Sequence, residues 1–322
     1  MNNLVLVIPH LKLQNANALS SPFTIGFPAM TAWLGAMHAL QRKLRNKGVD
    51  VRFAGIGVIS HQFHLHTYKG PGDFDSSIVG TANPVGKDGK RPSFIEEARC
   101  NLTVSLAIEF TGLGIDKLDG LAEHVQSHLP YMKFAGGDVL GSKPVHIEAN
   151  FDHLKRTLMP GYALLERRDL MVSAMESGQD AGDALLEYLA VHHHCVSSDD
   201  EANNDGVNNN DIKASTNPND KKGEWISKRK QSSADGQRGW IVPIATGFQA
   251  LTQAGIAENQ RDSRTEHRFA ESVVTLGEFK MVFRLDSLDQ LIWRYKADED
   301  TGMYLCQQQA EFVSQDDAFE GF

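Results

Sequence analysis

Asn101-Leu102-Thr103-Val104-Ser105-Leu106-Ala107-Ile108-Glu109-Phe110 alternates without a break, with Leu102, Val104, Leu106, Ile108 and Phe110 on one face. Successive side chains of a strand point to opposite faces, so this is the pattern of a half-buried β-strand. Working outward toward the N-terminus, residues 69–93 are a long loop rich in Gly and Pro, and Val51 to Ser60 reads as another strand. Before it, Met30, Trp33, Leu34, Met37, Leu40 and Leu44 recur at steps of three and four, one apolar stripe of a helix. Gly48 beyond its basic last turn can supply a left-handed cap. Leu4 to Ile8 is continuously apolar and is closed by Pro9, a short strand buried on both faces; residues 14–28 form a polar, breaker-rich loop. On the other side, Ile115, Leu118, Leu121, Ala122, Val125 and Leu129 mark a second amphipathic helix, and Tyr131 to Leu140, with Gly136-Gly137, closes the unit. The order β-α-β-β-α-β predicts an α+β, ferredoxin-like (RRM-like) core over 1–145. A mostly helical insertion over 146–239 follows, and a C-terminal segment over 240–322 is expected to pack back on the core. Residues 197–223 are rich in Asn, Asp and Ser and should be mobile, since they have little apolar surface to offset their ordering entropy.

The chain has 322 residues and a formal net charge of −9, which taken whole argues against a nucleic-acid partner. The acidity is local. Six acids and one Lys lie in 199–220, and seven acids with no Lys or Arg lie in 297–322. The rest retains 31 basic and 28 acidic residues, a body of +3, so a basic face for RNA or DNA is compatible with the sequence. No apolar run approaches the ~20 residues of a membrane helix, and the N-terminal Met1-Asn2-Asn3 lacks the basic start of a secretory signal. Three widely spaced cysteines, Cys100, Cys195 and Cys306, fit a reducing cytoplasm without a disulfide framework. There is no CxxC, HExxH, GxSxG or GxxxxGK[ST].

Several groups could carry chemistry. His192-His193-His194-Cys195 reads as helical, where neighbours point about 100° apart and do not converge on a metal. His64 and His66 share a strand face but lack a third ligand at a telling spacing. No metal or cofactor is therefore expected. His10, His38 or Tyr68 could in principle serve acid–base cleavage of RNA, although no partner base stands at a defined spacing. Gln14, Asn15 and Asn17 suit base edges and backbone polar groups alike. Gly136-Gly137 permits close backbone approach, either to a phosphate or within a tight turn. Arg42, Lys43, Arg45 and Lys47 crowd the end of the first helix and also complement its dipole. Arg261, Arg264 and Arg268 recur at helical spacing, a row able to track phosphates. The central strands lack the aromatic platform of an ordinary RNA-recognition module.

One long stretch is specific. Leu11-Lys-Leu-Gln-Asn-Ala-Asn-Ala-Leu-Ser-Ser-Pro-Phe-Thr-Ile-Gly-Phe-Pro, then His38-Ala-Leu-Gln-Arg, resembles the N-terminal signature of the second Csy subunits of type I-F CRISPR surveillance complexes. Shorter similar motifs follow in order: Met132 to Gly137, Leu158 to Leu164, Gly239 to Ile244, Arg261 to Phe269, Leu276 to Glu278 and Leu291 to Trp293. The resemblance implies a Cas-five-like RNA-binding protein with a ferredoxin-like core and a Gly-rich loop. Such a subunit pairs with the large Csy subunit, neighbours the backbone Csy subunit, and caps the 5′ handle of the guide RNA beside the entering target DNA. It serves antiviral defence and is not the guide-processing nuclease. On this basis Lys12, Gln14, Asn15, Asn17, Arg42, Gly136, Gly137, Arg261, Arg264 and Arg268 are the expected RNA-binding residues, with no catalytic residue among them. A metal-independent endoribonuclease acting on repeat RNA is the alternative. The His tract and residues 199–220 depart from the family pattern.

Overall fold

The computed structural model describes residues 4–73, 75–80, 85–93, 97–114, 118–196, 224–228, 240–260, 262 and 264–308. The loop 197–223 and Arg261 lie outside the described residues. Among the described residues, no helix is long and apolar enough to cross a membrane.

Among the described residues eleven strands form one antiparallel sheet: β1 (Leu4–Asn17), β2 (Arg52–Leu65), β3 (Arg99–Thr111), β4 (Lys133–Phe134), β5 (Gly137–Gly141), β6 (His146–Glu148), β7 (Tyr162–Glu166), β8 (Trp240–Ala250), β9 (Ala270–Met281), β10 (Trp293–Asp298) and β11 (Met303–Gln308). Their order is β7-β9-β8-β11-β10-β2-β3-β1-β5-β4, with β6 also on β1. A further pairing of β7 with β2 closes six strands into a ring, which leaves fewer open edges for unwanted pairing. The Trp293 indole N–H donates to the Leu164 carbonyl at 2.8 Å, tying β10 to β7.

This corrects the expected fold class. The structure is not a small ferredoxin-like core with a helical insertion and an appended segment. Strands from residues 146–308 extend the same sheet that residues 4–148 begin. The stretch 146–195, expected to be mostly helical, alternates short helices with strands. It contains α3 (Phe151–Thr157), α4 (Arg168–Glu176) and α5 (Ala181–Leu189), after α1 (Met30–Arg45) and α2 (Leu118–His128) earlier in the chain. His192–Val196 is a strand paired with Glu224–Lys228, not a helix.

Leu102, Val104, Leu106, Ile108 and Phe110 of β3 are all buried, as the alternation implies, but the strand is half-buried only at its start: Ser105, Ala107 and Glu109 on the other face are buried too. The five apolar residues meet Met30, Trp33, Leu34, Met37, Leu40 and Leu44 of α1, also all buried, in the main core. Each such side chain contributes roughly 1.5–3 kcal/mol through burial. Gln41 pins the helix in place, its Oε1 accepting the Phe53 backbone N–H at 2.6 Å. The opposite face of the sheet divides in two. One half, with Val5, Val7, Ile59 and Ala107, is covered by Leu154 of α3, by Leu158 just after it, and by Val282, Leu285 and Leu291. The other half carries the polar ends of β1, β2 and β3.

Candidate nucleic-acid interface

Pro9 has no N–H to give to a β-ladder, and the ladder breaks beside it. The register of β1 on β3 slips between Ile8 and Leu11, where His10 takes φ +49°, and again between Leu13 and Ala16, where Asn15 takes φ +56°. Such bulges re-aim side chains without ending a strand. Between them Leu11 and Leu13 stay in the core, while Lys12 and Gln14 are exposed. The polar stretch expected to be a loop is thus the second half of β1 followed by a tight hairpin over Leu19–Ile25.

Asn15 is held by its neighbours: its N–H donates to Asn101 Oδ1 at 3.1 Å, and its carbonyl accepts from Arg99 Nη1 at 3.4 Å. Asn17 acts on its own backbone, Nδ2 donating to the Leu19 carbonyl at 3.0 Å and Oδ1 accepting the Leu19 N–H at 3.1 Å. Of its two sequence-level roles, Asn17 therefore fills the loop-holding one. Asn is tolerated at positive φ and β-branched residues are not. Asn15→Val is expected to cost about 1–2 kcal/mol in thermal or urea denaturation, and Asn15→Gly almost nothing.

The glycine pair lies beside this strand. Ala135 (φ +49°) and Gly136 (φ +75°) make the two-residue turn between β4 and β5, both in the left-handed region such hairpins need. Gly137 is buried, and a Cβ there would stand 2.9 Å from Ala16 Cα, so its bare backbone is required by packing on β1. Gly136 is exposed at the tip, with the Arg99 guanidinium 4.0 Å from where its Cβ would be. Arg99, opposite Asn17 in the ladder, is the cation that motif reading passed over. It also pairs with Glu97 at 2.5 Å.

Below this rim a cleft of about 610 Å³ opens on the same face. His10 and Lys12 of β1, His61 and Gln62 of β2, Thr103 of β3 and Lys143 of the β5–β6 connection line it, with Leu140 and Pro160 as apolar walls. Lys143 is anchored by its N–H to the Pro9 carbonyl, 2.9 Å. Thr103 donates to Gln62 Oε1 at 3.2 Å. The His10 and His61 rings lie 4.2 Å apart, tilted by 36°. A carbonyl only accepts, so the 2.6 Å contact from His61 Nδ1 to the Pro160 carbonyl places a proton on Nδ1. Nε2, 2.6 Å from Ser105 Oγ, is then the acceptor of neutral His61, and Ser105 Oγ in turn accepts the His10 backbone N–H at 3.0 Å. Burial lowers the His61 pKa, with Lys143 adding to it and the Pro160 carbonyl opposing.

The remaining candidates are dispersed. Arg42 is exposed on α1, in the layer covering the other face of the sheet. His38 is packed edge-on against Tyr295 at 4.9 Å, and burial together with Arg42 pushes its pKa down to about 4. Tyr68 is exposed and does not line the cleft. Arg264 and Arg268 are both exposed in the β8–β9 connection, but the expected helix is absent there among the described residues. Asp262 is the reason: its carboxylate accepts the Arg264 N–H at 3.0 Å and the Thr265 hydroxyl at 2.9 Å, a local turn that competes with helix. No group of three metal-ligating side chains gathers among the described residues.

The chain matches the family of the CRISPR-associated protein Cas_Csy2 over residues 6–306. The chain belongs to the Cas_Csy2 family. It is similar to the CRISPR-associated protein Csy2 of Pseudomonas aeruginosa strain UCBPP-PA14, with 31% identity over 330 positions that cover 93% of this chain and 94% of that one. The family is the one the motifs indicate. In this Cas_Csy2 chain the longest motif, residues 11–28, builds the bulged half of β1 and the hairpin after it, and so supplies one rim of the open polar face.

Proposed function

We propose that this chain is a non-catalytic RNA-binding subunit of a type I-F CRISPR surveillance complex, capping the 5′ handle of the guide RNA together with the large Csy subunit. The backbone Csy subunit and target DNA are its neighbours in that assembly. The observation that carries this reading is the half-face of sheet that no helix covers among the described residues of this Cas_Csy2 chain. There Lys12, Arg99 and Lys143 stand among hydrogen-bonding side chains, and Gln14, Asn15 and Asn101 border them. Phosphate contacts position a polynucleotide, and neutral polar groups are suited to base edges. The layout favours binding over cleavage. His61 has both ring nitrogens engaged, so His10 lacks a second imidazole with which to share acid–base work in the cleft.

The test is the assembled complex purified through this chain. Guide RNA should co-purify and crosslink to residues 11–17 and 99–103; a complex that holds guide RNA without any crosslink to this chain would make it a protein bridge instead. Metal-free incubation of the chain with repeat RNA should leave the RNA intact. Arg264 and Arg268 are proposed to reach the RNA backbone from the β8–β9 connection. Arg264→Ala with Arg268→Ala should reduce the slope of log affinity against log salt by about 1.4. An unchanged slope removes both from the interface.

A further inference from the structure

We propose that the cleft between β1, β2 and the β5–β6 connection is a phosphate site that takes up a proton on His10 as the phosphate binds. On the reading above the phosphate is a phosphodiester of the guide strand, and this part of the inference rests on that reading.

The geometry separates two imidazoles that look alike in sequence. His61 is fixed on both sides, by the Pro160 carbonyl and the Ser105 hydroxyl. It offers a rigid ring face, and the His10 ring lies 4.2 Å away against it. The His10 ring nitrogens make no hydrogen bond to any described residue, and His10 lines the cleft. The titratable and charged groups acting on it are His61 from β2, Lys143 from the β5–β6 connection and Lys12 from its own strand. Burial first, and then these three, holds its pKa below the ordinary value. A neutral ring among cations is therefore the resting state near pH 7. An incoming phosphate reverses the balance. Its oxygens accept from Lys12 and Lys143, its charge offsets theirs, and an acceptor comes within reach of a protonated His10. The proton is drawn from solvent, and no covalent bond changes. Leu140 and Pro160 wall the cleft, which strengthens the interaction by limiting water.

The linkage has a definite sign. A group whose pKa rises on binding makes binding tighter as pH falls through the bound-state pKa, levelling off below the free-state pKa, by at most tenfold for each unit of that rise. The test uses the full chain and its His10→Asn variant. His10 sits at φ +49°, a conformation Asn adopts readily, and the bond from the residue-10 N–H to Ser105 is kept, so the variant should fold.

In nuclear magnetic resonance titrations, inorganic phosphate should raise the His10 pKa by about one unit. With a single-stranded oligoribonucleotide, affinity should rise severalfold from pH 8 to pH 5.5 in the natural chain, with about tenfold as the ceiling for a one-unit rise, and stay flat in His10→Asn. A His10 pKa indifferent to phosphate, or an equal pH dependence in the variant, overturns the proposal while leaving RNA binding standing. A His10 pKa that responds to phosphate in a chain that binds RNA at no pH, alone or assembled, supports the phosphate site and removes the guide strand as its source.

Discussion

Replacing Glu109 by Ala is expected to destabilise the protein by about 3–5 kcal/mol. Glu109 stands on β3 and is 4% exposed, and its Oε2 accepts from Arg294 Nη2 of β10 at 2.7 Å. The same Arg294 nitrogen also reaches Asp289 Oδ1 at 3.1 Å. Between the two strands runs β2, where Gly55 faces Glu109 in the ladder. A Cβ on Gly55 would lie 3.0 Å from Arg294 Cγ and 2.5 Å from Ile292 Cγ2, so the missing side chain is what lets the arginine pass over β2. The pair therefore joins an N-terminal strand to one 185 residues later. Deleting the carboxylate leaves a guanidinium nearly out of water with, among the described residues, the exposed Asp289 as its remaining ion-pair partner. Replacing both partners by Met removes the charge together with its counterion and should recover most of the loss. Urea denaturation of the two variants checks this: a double variant as unstable as Glu109→Ala would mean that strand geometry, not the buried charge, sets the cost.

That pair also shows why the sheet was only partly legible. The strand holding Glu109 announces itself through ten residues of strict alternation, and α1 through a six-residue apolar stripe. Both sequences contrast an apolar with a more polar side, although the polar side of β3 is buried from Ser105 to Glu109. The strands that complete the sheet lack such contrast. β8 carries Pro243, which argues against an interior strand, and β9 runs partly buried on both sides over Ser272–Val274 before a buried block at Thr275–Glu278. Pro9 likewise suggested an end to β1, whereas the chain continues through a bulge. For the interface, Lys12, Gln14, Asn15 and the glycine turn were visible as a polar, motif-bearing stretch. Arg99 and Lys143 were not. Arg99 precedes the alternating run by two residues on its polar face, and Lys143 is brought in by a single backbone bond to Pro9. Neither belongs to a pattern that spacing alone reveals. The arginines at 264 and 268 had the spacing of a helix, but the Asp262 carboxylate, bonded to the Arg264 N–H and the Thr265 hydroxyl, competes with helix there.

Those two unannounced cations, with Lys12, make the decisive functional variant. Lys12→Gln, Arg99→Gln and Lys143→Gln together should weaken guide-RNA binding by about 100-fold at low salt, close to 1 kcal/mol for each contact. Glutamine keeps chain length and hydrogen-bonding capacity while removing charge, so the loss reports electrostatics. The slope of log affinity against log salt should become shallower by about 2, since each phosphate neutralised on a single strand contributes about 0.7. Stability should barely move for Lys12 and Lys143, which are exposed, and surface changes of this kind stay within about 0.5 kcal/mol. Arg99 also holds the Asn15 carbonyl, so a further modest loss there is expected from the bulge it supports. The salt series separates the two effects. A bulge that merely shifts lowers affinity equally at every salt concentration, whereas lost phosphate contacts lower it most where counterions are scarce. Retention of the full slope by the triple variant would place the RNA elsewhere on the molecule, with the layer bearing Arg42 the next surface to substitute.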